Sequence, residues 1–118
     1  MSIATHDATA QQLDALAKAN KLRSEMVGIR HTIHDATDPR QLVATLLDDP
    51  DEATGALPIR RLLLSIPRFG ESRLSDCLAR AVISTGDRRV RDISQRQRHL
   101  IARMLRGEEV EAPIYWQV

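Results

Sequence analysis

Three arginines in four positions, Arg88, Arg89 and Arg91, stand in the stretch "DRRVRD". Guanidinium groups set so close repel one another, and their complement is an extended anion whose oxygens each can grip in bidentate fashion. One helical stretch earlier, "IPRFG" (Ile66 to Gly70) interrupts one helix pattern just before the next begins. A glycine at that point lets a partner come close to the backbone. The first amides of the following helix then face outward at the positive end of its dipole, where a phosphate binds. Arg68 and Arg73 flank this turn, and Arg96 and Arg98 fall in the first turn of the last expected helix. The candidate binding set is therefore Arg68, Gly70, Arg73, Arg88, Arg89, Arg91, Arg96 and Arg98. Its chemistry is recognition of a polyanion.

The charge distribution agrees. The formal net charge is only +1, yet residues 1–55 hold five Lys/Arg against nine Asp/Glu. Residues 56–106 hold twelve arginines, no lysine and four acids, and Glu108, Glu109 and Glu111 follow. A basic block of this density is a polyanion footprint. A merely solvated helix surface would mix lysine with glutamate instead. Arg60, Arg61, Arg80, Arg103 and Arg106 read as solvated surface, and Asp87 and Asp92 as groups that orient arginines or cap turns.

The elements that must position these residues read as helices throughout. From Thr9 to His34, Ala15, Ala19, Leu22, Met26, Ile29 and Ile33 recur at spacings of four and three, which lines one face of a long helix. The stripe lasts under three heptads, so it is expected to dock on the domain, with its alanine-rich start projecting into solvent. Gly28 weakens it and is a candidate bend. Asp38, Pro39 and Gln41 begin a second helix with Leu42, Leu46 and Leu47 inward. The acidic "DDPDEATG" reads as a surface loop. Pro58 opens a third helix facing Ile59, Leu62, Leu63 and Ile66, and a fourth runs from Glu71 to about Ile83 with Leu74, Cys77, Leu78, Ala81 and Val82 inward. Ser94 and Gln97 form a capping box for the last, with Leu100, Ile101, Met104 and Leu105 inside. No segment alternates with the period of a strand. The fold class is all-α, divided into an N-terminal arm (1–37), a helical domain (38–107) and an acidic, then apolar tail (108–118).

With 118 residues and three aromatics, the chain supports one modest aliphatic core. Cys77, the single cysteine, has no internal disulfide partner and reads as a core residue, which fits a reducing cytoplasm. No apolar run reaches the roughly 20 residues of a membrane span, and "MSIATHDATA" lacks the features of a signal peptide. The expectation is a cytoplasmic protein with no membrane partner and no cofactor.

The order of helix, "LLLSIPRFG", helix, "STGDRRVRDISQRQ", helix resembles the helix-two-turn-helix arrangement, with a turn like that of the DNA-binding helix-hairpin-helix. Residues 10 to 106 are similar to the actinobacterial integration host factor family, through the long N-terminal helix, "LLLSIPRFG", "DRRVRDISQRQRHL" and their separation. The resemblance implies a nucleoid-associated protein that binds double-stranded DNA with little sequence preference, bends or compacts it, and assists a phage integrase. It places Arg88, Arg89 and Arg91 at the minor-groove edge and its phosphates. Two departures stand out: the N-terminal half is acidic where the family is basic, and "GEEVEAPIYWQV" has no counterpart. Ile114, Tyr115 and Trp116 in that tail either fold back on the domain or contact a protein partner.

Other readings are weaker. A helix-two-turn-helix glycosylase needs an N-terminal catalytic amine and usually a zinc finger, and "MSIA" and one cysteine supply neither, so no enzyme is expected. His31, His34 and Asp35 have a metal-like spacing but no further ligand. Ser94 is a cap rather than a nucleophile. An RNA-binding ribosomal protein of the same arrangement shares "RVRDIS" but ends in a long basic tail. A module that regulates another nucleoid protein through the acidic arm and the tail leaves twelve arginines unexplained.

Overall fold

Met26, Ile29 and Ile33 fall on one side of a single helix, α1 (Ile3–Asp35), and that side packs on the core of the chain. The structure is a computed structural model that describes the backbone of residues 3–111 and side chains from Ala10 onward. Five further helices follow: α2 (Pro39–Asp48), α3 (Glu52–Ala56), α4 (Ile59–Leu64), α5 (Glu71–Arg80) and α6 (Gln95–Leu105). A 3₁₀ turn, Val90–Asp92, lies between the last two. The described residues contain no strand, and the fold is all-α as expected. No helix among them is long and apolar enough to cross a membrane.

The core is aliphatic but for Phe69 and Cys77 and forms one cluster, from Ile33 of α1 through Val43 and Leu47 of α2 and Leu62 and Leu63 of α4 to Ile101 and Leu105 of α6. Ile33 is fully buried, and burial of an isoleucine stabilises by about 1.5–3 kcal/mol. That residue anchors the arm. Residues 10–21 bury no side chain, so the alanine-rich half of α1 projects, with Leu13 and Leu16 exposed. The helix runs unbroken through Gly28. Among helices, α2 and α6 make the most extensive pairing, and α1 lies over α2 and α3.

Two expectations need correction. The acidic stretch is only partly a loop, because α3 forms within it. Asp51 Oδ1 accepts from the Thr54 amide (2.8 Å), and Ala53, Thr54, Gly55 and Ala56 are buried. Apolar side chains this small leave almost no hydropathy signal, although the Asp51-to-Thr54 cap spacing is visible in the sequence. That amide holds the Asp51 carboxyl below its ordinary range. A depressed folded value means the stabilisation is complete above the ordinary aspartate pKa and is lost as pH falls through the lowered one. Asp51→Asn keeps the acceptor but cannot titrate, so it is expected to flatten the stability loss seen below about pH 4. Thermal unfolding from pH 2 to 6 checks this, and an unchanged acid limb counts against the cap.

The second correction is Val82, expected inward. Helix α5 stops at Arg80, and the Ile83 amide donates to Leu78 O (2.8 Å) while the Val82 amide donates to Ala79 O (3.1 Å). This pair of bonds is a Schellman ending, whose reversing residue has positive φ and is usually glycine. Here it is Val82, at φ +59. The reversal buries Ala81 and Ile83 and leaves Val82 55% exposed.

Candidate nucleic-acid interface

The arginine loop is built from the two aliphatic residues inside it. Val90 and Ile93, three apart at 3₁₀ spacing, are buried, so Arg88, Arg89, Arg91 and Asp92 face solvent. The loop is then fastened to the start of α4. Ile59 and Arg60, whose amides begin that helix, donate to Arg88 O (2.8 Å) and Gly86 O (3.0 Å), and Val90 N donates to Leu57 O (2.9 Å). Gly86 is what permits this contact, since a Cβ there would lie 2.8 Å from the Arg60 Cβ and 3.4 Å from Leu78 Cδ1. Arg88 turns its guanidinium back onto the Asp92 carbonyl, bracing the loop from within. The carboxylate of Asp92 takes no part in that bond. Arg89 and Arg91 have no ion pair or hydrogen bond of their own among the described residues and extend outward.

The hairpin turn differs in detail from its sequence reading. Pro67 is exposed, the Phe69 amide donates to Ile66 O (3.1 Å), and Arg68 has φ +66. A proline followed by positive φ is the pattern of a type II turn, where glycine normally fills the place that Arg68 takes. Gly70 itself is extended, at φ −94, and a Cβ on it would meet nothing within 4 Å. It is the N-cap of α5, and no side chain caps that end. The amides at the start of α5 are therefore open to an outside acceptor. Arg68 and Arg73 stand exposed on either side.

One side chain joins the two cationic elements. The Arg60 Cβ lies against Gly86, and its guanidinium pairs with Glu71 in the first turn of α5. Loop and hairpin are thus a single arginine side chain apart. Sequence reasoning placed Arg60 among solvated residues and overlooked Gly86, because the contact between them is tertiary.

Of the last pair, Arg96 is exposed with no side-chain partner among the described residues, whereas Arg98 is half-buried and engaged. Its Nη1 donates to Leu47 O (3.0 Å) and its Nε is buried, so it ties α6 to the end of α2. Arg106 and His99 reach Asp48 beside it, at 2.7 and 3.2 Å. Burial pushes the Asp48 carboxyl up, but those two hydrogen bonds outweigh it and hold the group below its ordinary range. The Cys77 thiol, raised by burial to about 11, stays protonated in the core. His31 and His34 line a shallow groove with Arg30, Leu64 and Ser65. Ile114, Tyr115 and Trp116 lie outside the described residues.

Because a Cβ on Gly70 has room and φ is ordinary, Gly70→Val is expected to cost only the ~1 kcal/mol by which valine is the poorer N-cap, while obstructing approach to the α5 amides. A variant that unfolds early but binds fully, molecule for molecule, would make Gly70 a turn residue only.

These elements define an all-α protein whose exposed Arg89 and Arg91 carry no counter-charge among the described residues. No family model, no curated protein and no solved structure matches the chain.

Proposed function

We propose that the chain is a sequence-tolerant architectural protein of double-stranded DNA, acting as an integration host factor of the actinobacterial kind does. The observation that carries this reading is the coupling of two phosphate-binding elements. The Arg89–Arg91 loop and the uncapped start of α5 are held side by side through Gly86, Arg60 and Glu71. Base-specific readout usually places a helix with amide or paired polar side chains in the major groove. The groups offered here are guanidiniums and backbone amides, which suit phosphates and the minor-groove edge. Neutralising one side of a duplex curves it, and a bend of 40–90° costs on the order of 1–6 kcal/mol. The proposed setting is the nucleoid in the cytoplasm, with a phage integrase as a partner on bent DNA. No catalytic step and no cofactor are assigned.

A gel-shift comparison of equal-length duplex DNA and duplex RNA over a salt series tests the reading. Tighter binding to DNA, falling linearly in log salt and nearly independent of sequence, is expected. Preference for the RNA would transfer the protein to the ribosomal type of helix-two-turn-helix. Binding to neither would end the nucleic-acid reading.

A further inference from the structure

We propose that Arg60 is a further phosphate contact, paired with Glu71 in the free protein and handed over to the duplex on binding. The inference rests on the DNA-binding reading and adds to it one cation and one acid that restrains it. Arg60 stands where the two cationic elements meet. Its amide donates to Gly86 O at 3.0 Å and its Cβ lies against Gly86. Two residues before it, Pro58 pairs with Arg89 in an antiparallel bridge. The root of the side chain is thus built into the arginine loop. Its far end reaches Glu71, the first residue of α5, which lies between the exposed Arg68 and Arg73 in the chain.

An acid in this place opposes a surface that takes a polyanion. A carboxylate in the first turn suits the helix dipole, but that benefit needs no arginine partner. The pair is also open to water, with the Arg60 side chain 49% and the Glu71 side chain 60% exposed. Ion pairs so exposed are weak, because water screens both charges and two long side chains must be held in order. One Nη2 of Arg60 meets one Oε1 of Glu71, so the fork of the guanidinium is only half used. A phosphate can take both arms. Once Arg60 has turned to the duplex, the Glu71 carboxylate is left uncompensated beside it. Binding therefore breaks one ion pair and sets an acid near the phosphates. Glu71 holds affinity below what the arginines alone would give, which eases movement along DNA.

Glu71→Gln separates this handover from a strut that merely positions the loop. Glutamine keeps the length of the side chain and an acceptor for Arg60, but carries no charge. Fluorescence-polarisation titrations on a short duplex, over a salt series, measure affinity, and thermal unfolding confirms that each protein is folded. The same measurements are made on Arg60→Gln, which keeps a Cβ and Cγ beside Gly86, and on the double variant. Arg60→Met retains the same stem and takes its place in the cycle if Arg60→Gln fails to fold. The expected result is that Glu71→Gln binds several-fold more tightly at 0.1 M salt, up to about eightfold for one full phosphate contact. Arg60→Gln should bind more weakly than the native protein, and the gain from Glu71→Gln should vanish in its background. A folded Glu71→Gln protein that binds no more tightly than the native one makes the pair a strut and overturns the handover. A gain that persists without Arg60 overturns it too, since loss of the acid alone would then suffice. Failure of the native protein to bind any duplex is a different outcome, which removes the DNA reading itself along with the handover.

Discussion

Replacing Arg89 and Arg91 together with alanine will shallow the slope of log K against log salt by about 2 units, at ~0.9 per lost phosphate contact. At 0.1 M salt this corresponds to roughly sixty-fold weaker binding, uniform across sequences. The fold should be untouched. Both side chains are exposed and neither makes an ion pair or hydrogen bond among the described residues, while the loop is held by Val90, Ile93 and its backbone bonds to α4. Arg88 is a different case, because its guanidinium braces the Asp92 carbonyl. Its loss loosens the loop as well as removing a charge, which is why the double variant is the cleaner one. A salt slope unchanged from the native protein would take this loop out of the interface.

The second large effect is expected from a residue with no charge. Gly86→Ala places a Cβ 2.8 Å from the Arg60 Cβ. That atom is next to the backbone and cannot swing aside, so the loop must lift from α4. Lifting stretches the bond from the Arg60 amide to Gly86 O and shifts the Arg60 guanidinium that holds Glu71. Overpacking of this kind costs about 1–3 kcal/mol. Binding should weaken by at least one phosphate contact, about eightfold at 0.1 M salt, with every arginine still present. Titration well below the unfolding midpoint separates the two effects. Full affinity in a destabilised but folded Gly86→Ala protein would mean that the position of the loop is irrelevant to binding.

These two variants also mark what the sequence disclosed. The exposure of Arg89 and Arg91 was legible from type and spacing alone, because charge density survives translation from chain to surface. Gly86 was not, since its role depends on Arg60 lying beneath it, and nothing local announces that meeting. The same division holds for the helices. Capped, periodic segments such as Gln95–Leu105 were read correctly to within a residue or two, and the Ser94–Gln97 capping box is present as expected. Helix α3 escaped because alanine, threonine and glycine bury well without looking hydrophobic. Val82 was misread because a helical period was carried two residues past a Schellman ending that lacks its usual glycine. Arg98 looked like its neighbour Arg96 in every local respect, and only the docking of α6 on α2 sets them apart.

That docking has a kinetic consequence. Helix α2 ends at Asp48 and α6 begins at Gln95, so both the hairpin and the arginine loop lie on chain between two partners that close upon each other. Arg98, His99 and Arg106 latch the closure at Leu47 and Asp48. The surface is therefore a sealed loop, whose closure entropy must be met before its own long-range contacts return anything. It should assemble late in folding, and the amides that join the loop to α4 should exchange with solvent only when the α2–α6 seam opens. The proposed binding surface and the seam that governs its lifetime are then separate parts of the molecule. On the proposed function, a lesion at Leu47, Asp48, Arg98 or Arg106 would present as a loss of binding, although none of those residues belongs to the loop or the hairpin.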